Sequence, residues 1–209
     1  GAEGIGLWLG QDGFDYAFQT DYRAQWNHLI SALQEVSDYA AGMPVALEPK
    51  TREPRNRLLV DSVPTSLLAC MEAGKSNLGI TVDMGHVLQD KRNIAQSLDL
   101  AMKYGRLLNV HANDNYASWD DDMIVGSVHL MEFLEAFYIL KKYDYDGWIS
   151  VDIFPYREDP FEATAESISY MECYSRIIDK LGIDKIDALI KNNSVTETMK
   201  VFREAVFPA

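Results

Sequence analysis

Four segments of the chain end an apolar, strand-like run on a side chain that can bind a metal ion. These runs are Pro44-Val-Ala-Leu-Glu48, Gly79-Ile-Thr-Val-Asp83, Leu107-Leu-Asn-Val-His111 and Trp148-Ile-Ser-Val-Asp152. Parallel strands bring their carboxyl ends to one side of a sheet or barrel, so side chains at those positions can converge. Three carboxylates and one imidazole suit Mn²⁺, Co²⁺ or Zn²⁺, and suit Mg²⁺ less well because of the nitrogen. The spacing therefore predicts a metal site.

A second group of candidate ligands lies beside the first. His86 follows Asp83 by three residues, and the loop after His111 carries three consecutive aspartates, Asp120 to Asp122. In an extended segment, Asp120 and Asp122 would point to one side and Asp121 to the other. Two metal ions roughly 4 Å apart can hold and polarise neighbouring oxygens of one substrate. The pattern is therefore compatible with a site for two metals.

Each candidate also has an ordinary structural interpretation. Glu48 could be a solvated strand end, and Asp83 a helix N-cap or a turn former. A lone His111 in an apolar strand could be a hydrogen-bonded core histidine, and Asp152 could pair with Arg157. The aspartate run by itself is typical of a solvated loop. Together these interpretations require several independent coincidences at strand ends in chain order, which favours a site.

Short β-rich runs alternate with longer segments of helical period, and this predicts β/α units with parallel strands. The predicted strands are 4–10, 44–50, 78–85, 107–113 and 147–154. The predicted helices are 21–39, 63–73, 93–104, 130–143 and 160–181, then 184–191 and 194–206. Ser194 and Glu197 form a predicted capping box at the last of these.

Five β/α units are present, whereas a closed (β/α)₈ TIM barrel needs eight. A barrel is favoured over an open five-stranded sheet because a ring of strand ends brings ligands to one point more easily. Residues 1–182 are therefore expected to form the C-terminal part of an α/β barrel. Residues 183–209 are expected to form a helical extension that packs on the barrel or on a partner. The open strand edges predict a homo-oligomer or a complementing N-terminal barrel half.

Composition excludes several classes of protein. The 209 residues are 47% apolar and 24% charged, as in a globular domain. A net charge of −13 repels phosphate backbones, so no nucleic-acid partner is expected. No apolar run approaches the roughly 20 residues that cross a bilayer, so no membrane partner is expected. Two cysteines are too few for a disulfide framework, which favours a cytoplasmic location.

The motifs together resemble the xylose isomerase-like TIM barrels. The segments that carry the resemblance are Trp8-Leu-Gly-Gln-Asp-Gly-Phe-Asp15, Glu48-Pro-Lys50, Glu53-Pro54, Asp83-Met-Gly-His86, His111-Ala-Asn113 and Asp120-Asp-Asp-Met-Ile-Val-Gly126. His111 as the third ligand, together with the aspartate run, is most similar to the L-rhamnose isomerase branch. The Trp8 segment and Glu48-Pro-Lys50 are equally similar to xylose isomerase, in which an aspartate replaces His111.

The resemblance implies a metal-dependent aldose–ketose isomerase that shifts a hydride between C1 and C2 of a small sugar. It implies two divalent cations, with Mn²⁺ preferred over Co²⁺, Zn²⁺ or Mg²⁺, and no organic cofactor. The ligands of the structural metal would be Glu48, Asp83, His111 and Asp152. The ligands of the catalytic metal would be Asp83, His86, Asp120 and Asp122.

The resemblance also assigns roles around the sugar. Lys50 would donate to the C1 carbonyl oxygen, Trp8 would supply an apolar wall, and Asn113 would hydrogen-bond the sugar or cap a turn. The residues expected to act in catalysis are Lys50, His86, Asp120 and Asp122.

Three alternatives to an isomerase stay open. A single-metal ketose 3-epimerase of the same barrel type would use the same four ligands, Glu48, Asp83, His111 and Asp152. Lys50 and the aspartate run argue against this alternative. A metal-dependent abasic-site nuclease shares the barrel but needs more histidines than four and a basic surface. A partial barrel could also bind metal without turnover.

Overall fold

Five parallel strands form one sheet whose order follows the chain. In the computed structural model, which describes residues 1–207, the strands are β1 (Ile5–Trp8), β2 (Val45–Glu48), β3 (Leu78–Asp83), β4 (Leu107–Ala112) and β5 (Ile149–Val151). The register pairs Trp8 with Glu48 and Asp83 with His111. The predicted ligands therefore lie at the same edge of the sheet.

Helices connect and flank the strands, as the β/α pattern predicts. They are α1 (Tyr22–Tyr39), α2 (Val63–Ala73), α3 (Met84–Gln89), α4 (Ile94–Lys103), α5 (Leu130–Lys142), α6 (Pro160–Leu181), α7 (Ile183–Asn192) and α8 (Val195–Val206). Asp21 and Asn93 cap α1 and α4 by accepting hydrogen bonds from Ala24 N and Gln96 N. The five β/α units form part of a TIM barrel, and the prediction of the fold is confirmed.

The core lies between the sheet and the helices on its outer side. β2 and β3 are buried along their whole length, and Leu47, Ile80 and Leu98 are fully enclosed. The opposite, concave face of the sheet carries Thr81 and His111 and lines an open cavity of ≈ 520 Å³. This face corresponds to the interior of a barrel. None of the helices within residues 1–207 is long and apolar enough to cross a membrane.

Helix α3 is the one described helix that the sequence pattern did not predict. All six of its residues are buried, so it has no solvent-exposed face, and it is too short to show an amphipathic period. It begins directly after Asp83, whose side chain accepts a hydrogen bond from His86 N and caps the helix. His86 therefore lies on a helix.

The two C-terminal helices pack on the barrel helices. Ile186 and Phe202 are buried, and Tyr138 and Lys142 of α5 both bind Asp187 of α7, with 2.7 Å between Lys142 Nζ and Asp187 Oδ1. The predicted capping box is wrong. Ser194 makes no side-chain capping bond, and the Glu197 carboxylate accepts from Asn192 Nδ2 at 3.0 Å instead.

We expect the isolated chain to associate through its open sheet edges. β1 and β5 are edge strands, and Trp148 beside β5 is 72% exposed. Unpaired strand edges next to an uncovered apolar face favour pairing with another chain. Light scattering should give a mass above 23.6 kDa. Trp148→Ser should weaken the association more than Tyr39→Ser at the exposed end of α1, and a monodisperse monomer would contradict this expectation.

Candidate metal site

Four of the predicted ligands converge on one point. Glu48, Asp83, His111 and Asp152 each offer one donor atom, and these four atoms lie within 4.8 Å of one another. His111 Nδ1 lies 3.0 Å from Asp152 Oδ2, 3.5 Å from Glu48 Oε1 and 3.8 Å from Asp83 Oδ2. We call these four residues the strand-end cluster. The alternative pairing of Asp152 with Arg157 does not occur among the ion pairs of residues 1–207.

The electrostatics of the strand-end cluster fit a divalent cation. Burial and the nearby carboxylates of Glu48 and Asp120 raise the pKa of Asp83 to about 6. Burial alone would lower the pKa of His111, but Asp152 and Glu48 raise it to about 10. Within the described residues, His111 Nδ1 is buried and has no aligned hydrogen-bond acceptor. Three crowded carboxylates therefore demand positive charge, which the protonated imidazole supplies here. A divalent cation would supply that charge instead and would gain the imidazole nitrogen as a ligand by displacing its proton.

Asp83 is held in place by groups behind it. Asn113 Nδ2 donates to both carboxylate oxygens of Asp83, each at 3.1 Å. A Cβ at Gly85 would lie 1.7 Å from Asn113 Oδ1, so only glycine leaves room for this amide. Asn113 is 0% exposed. It therefore lies behind a candidate ligand, and its role toward the sugar stays a prediction.

The second predicted ligand set is arranged around Asp120. Asp120 Oδ2 lies 2.7 Å from Lys50 Nζ and 3.1 Å from His86 Nε2. His86 Nδ1 lies 3.0 Å from the carbonyl oxygen of Pro49. In residues 1–207 only the strand-end cluster forms a compact donor group. His86 and Asp120 are thus in direct contact, and Lys50 supplies positive charge beside them.

Mutual attraction sets the charge states of this group. Burial alone would lower the pKa of His86, but Asp83 and Asp120 raise it to about 9. Burial would raise the pKa of Asp120, but His86 and Lys50 hold it below its ordinary value. The pKa of Lys50 is raised by Asp120 and Glu53 despite its burial. Lys50 therefore stays charged inside the site.

The three aspartates of the loop point to different partners. Asp122 has a left-handed backbone with φ of 47°, so the extended segment expected from the sequence is wrong. Asp121 Oδ2 accepts a hydrogen bond from Tyr116 N at 3.2 Å. Burial and the charges of Asp120, Asp83 and Asp152 raise the pKa of Asp122 to about 7. Asp122 thus lies within electrostatic range of the strand-end cluster.

A buried carboxylate outside the predicted set anchors this loop. Asp114 is 0% exposed and accepts hydrogen bonds from Val128 N at 2.8 Å, from His129 N at 2.9 Å and from His129 Nδ1 at 2.7 Å. These contacts close residues 114–129 into a loop and cap the start of α5. Sequence reasoning missed Asp114 because its partners lie about 15 residues away.

Aromatic side chains and Glu53 border Lys50. The Lys50 ammonium lies 5.5 Å from the ring centre of Trp8, and 3.2 Å from Glu53 Oε2. A cavity of ≈ 520 Å³ on this side is lined by Trp8, Glu53 and Trp119, among others. Trp8 thus lines this cavity, and its role as a wall for the sugar stays a prediction. Glu53 and Trp119 were not predicted as site residues, although Glu53-Pro54 lies within the segment that carries the resemblance.

Comparison with known proteins places this geometry in a family. A family model described as xylose isomerase-like TIM barrel matches residues 5–174. The chain is 32% identical over 127 residues to an uncharacterised protein of Methanocaldococcus jannaschii, covering 59% of this chain and 42% of that protein. It is 26% identical over 153 residues to the xylose isomerase of Thermus thermophilus, covering 70% of this chain and 40% of the enzyme.

Solved structures give the same architecture. A D-tagatose 3-epimerase-like protein superimposes with a TM-score of 0.64 at 24% identity, covering 80% of this chain and 61% of that chain. The chain spans about two fifths of the length of the curated relatives it matches. The family match over residues 5–174, the five β/α units and the convergent strand-end ligands agree, and the chain belongs to the xylose isomerase-like TIM barrel family.

Proposed function

We propose that this chain carries the metal-binding part of a sugar isomerase or epimerase, and that its reaction is aldose–ketose isomerisation. The observation that carries the proposal is the strand-end cluster with a buried, charged Lys50 next to it. When bound, a divalent cation polarises adjacent hydroxyl and carbonyl oxygens of a sugar and eases loss of their protons. Mn²⁺ is the preferred ion for this donor set.

The residues around the cluster suit the rest of this reaction. Lys50 can donate a hydrogen bond to the C1 oxygen, where negative charge develops as the hydride moves between C2 and C1. The pairing of Lys50 with Asp120 and Glu53 holds its ammonium in one place before substrate arrives. The Trp8 ring lies over the ammonium and supplies a cation–π contact. His86, Asp120 and Asp122 remain the proposed ligands of a second ion.

Lys50→Met should lower the rate of isomerisation on the order of 100-fold, as for loss of one oxyanion donor, with little change in Mn²⁺ affinity. Rhamnose, xylose, lyxose and mannose are the aldoses to assay, with Mn²⁺ or Co²⁺ added. Lys185→Met, on the exposed side of α7, is the matched control and should be silent. If the Lys50→Met variant turned over an aldose at the wild-type rate, that result would contradict the role given to Lys50.

A single-metal ketose 3-epimerase is the second candidate. It is favoured by one observation, namely that the strand-end cluster is the compact donor group in residues 1–207. Metal stoichiometry separates the two reactions. An isomerase should bind two Mn²⁺ per chain and lose the second on Asp120→Asn, whereas an epimerase should bind one and convert a ketose to its C3 epimer. Metal binding without turnover of aldose or ketose would instead indicate a partial barrel that needs its complementing half.

A further inference from the structure

A cavity of ≈ 420 Å³ lies beside the metal site, between the loops that follow β4 and β5. Its walls include the aromatic side chains of Tyr116, Phe154 and Tyr156, which are 67%, 61% and 74% exposed. The rings of Phe154 and Tyr156 pack 4.9 Å apart at 52° and form one surface. We call this cavity the aromatic cleft. Three large exposed rings around one concavity are typical of a ligand-binding groove.

The aromatic cleft continues directly from the metal site. Asp122 lines it, and so does Ile153, which follows Asp152 of the strand-end cluster. Phe154 N donates to the carbonyl oxygen of Asp122 at 2.9 Å, which ties the two loops together at this point. A group attached to a sugar at the metal site can therefore extend into the cleft without leaving the protein surface.

The charges around the cleft argue against an anionic occupant. Asp121, Asp122 and Glu158 line it, and Arg157 is the single basic side chain among its lining residues. A phosphate or carboxylate would face three acidic groups for one guanidinium. A neutral sugar ring suits these walls better, because its C–H face can lie on the aromatic rings while its hydroxyls bind the acidic groups.

From this continuity and charge we propose that the aromatic cleft binds the second, neutral ring of a glycoside whose first sugar lies at the metal site. The proposal rests on the proposed function, since it needs a sugar at the strand-end cluster. It goes further in naming the substrate class, a disaccharide or other glycoside. A free monosaccharide would leave the three rings uncovered.

The test compares lactulose, a disaccharide with a ketose unit, with D-fructose, that unit alone, by calorimetry on the Mn²⁺-loaded protein. We expect lactulose to bind at least 10-fold more tightly than fructose. Tyr116→Ala and Tyr156→Ala should each remove most of this difference and leave the affinity for fructose unchanged. Tyr39→Ala, an exposed tyrosine at the end of α1, is the matched control.

Several results would overturn the proposal. The wild-type protein could bind lactulose and fructose with equal affinity, or bind neither sugar. The tyrosine variants could also lose affinity for both sugars by the same factor. A dimer in light scattering that dissociates on Tyr156→Ala would show that a second copy covers the rings instead. Tighter binding of lactulose by the associated protein, without any isomerase or epimerase turnover by that assembly, would sustain the cleft and reject the proposed function.

Discussion

Asp83→Asn is expected to abolish high-affinity binding of Mn²⁺ while leaving the metal-free fold intact. Asp83 is the most buried member of the strand-end cluster, at 1% exposed, and donor atoms of the other three members surround it. Changes behind a ligand typically cost 10-fold to 100-fold in metal affinity, so loss of the ligand's charge should cost at least about 100-fold. The neutral amide cannot replace the charge that draws the cation into the site.

The metal-free stability of this variant should be close to that of the wild type. Burial and neighbouring carboxylates raise the pKa of Asp83 to about 6, so its negative charge at neutral pH is unfavourable in the absence of metal. Asparagine keeps an oxygen that can accept from His86 N and cap α3. The loss of one acceptor for Asn113 is therefore offset by the removal of a crowded charge.

Thermal unfolding with and without Mn²⁺ separates these two effects. At 100 times its dissociation constant, a bound ion stabilises the wild type by about 2.7 kcal/mol. That corresponds to a rise in Tm of roughly 5 to 10 °C for a chain of this size. Asp83→Asn should show no such rise, whereas Asp121→Asn, which keeps an acceptor for Tyr116 N, should show all of it. An unchanged rise in Asp83→Asn would place the metal elsewhere.

The strand-end cluster could be predicted from sequence because its geometry depends on local features. Each ligand terminates an apolar run, and parallel register alone brings Asp83 beside His111. The starts of α1 and α4 could be predicted for the same reason, since the Asp21 and Asn93 side chains accept hydrogen bonds from backbone groups three residues away. The residue pattern is sufficient to predict the location of a side chain when its position in a strand or helix decides that location.

The parts that escaped prediction depend on contacts between distant segments. Asn113 turns towards Asp83 because Gly85, on a different β/α unit, leaves the space. Asp122 adopts φ of 47° in a loop whose shape is set by its ends. Helix α3 has no solvent-exposed face, because the sheet and its neighbours enclose it on every side. A single-sequence pattern holds no information on such enclosure.

The position of the proposed ligands suggests which steps need only this chain and which need a second polypeptide. All members of the strand-end cluster lie on, or directly after, the consecutive strands β2 to β5, so the ligands proposed for one ion all come from this chain. The concave face and the two sheet edges, in contrast, are open. For the proposed function, this arrangement favours metal binding by the isolated chain and sugar turnover only after association.

Asp114→Ala is expected to destabilise the protein by about 2 to 4 kcal/mol, because each buried donor left without its acceptor costs about 1 to 3 kcal/mol. The change leaves Val128 N and His129 N without an acceptor at the start of α5, and leaves the His129 ring without its carboxylate. It also removes a negative charge from a helix N-terminus, where such a charge is favourable. Urea unfolding of the metal-free protein measures the effect.

The comparison that decides the role of Asp114 is with Asp121→Ala in the same loop. Asp121 accepts one hydrogen bond, from Tyr116 N, near the surface, so its loss should cost no more than about 0.5 kcal/mol. Asp114→Ala should also weaken binding of a second ion, because the loop that it closes carries Asp120 and Asp122. The first ion should still bind, since its ligands lie at strand ends that do not need this loop. Equal destabilisation by the two substitutions would contradict the anchoring role of Asp114. Loss of the first ion in Asp114→Ala would mean that the loop and the strand-end cluster fold as one unit.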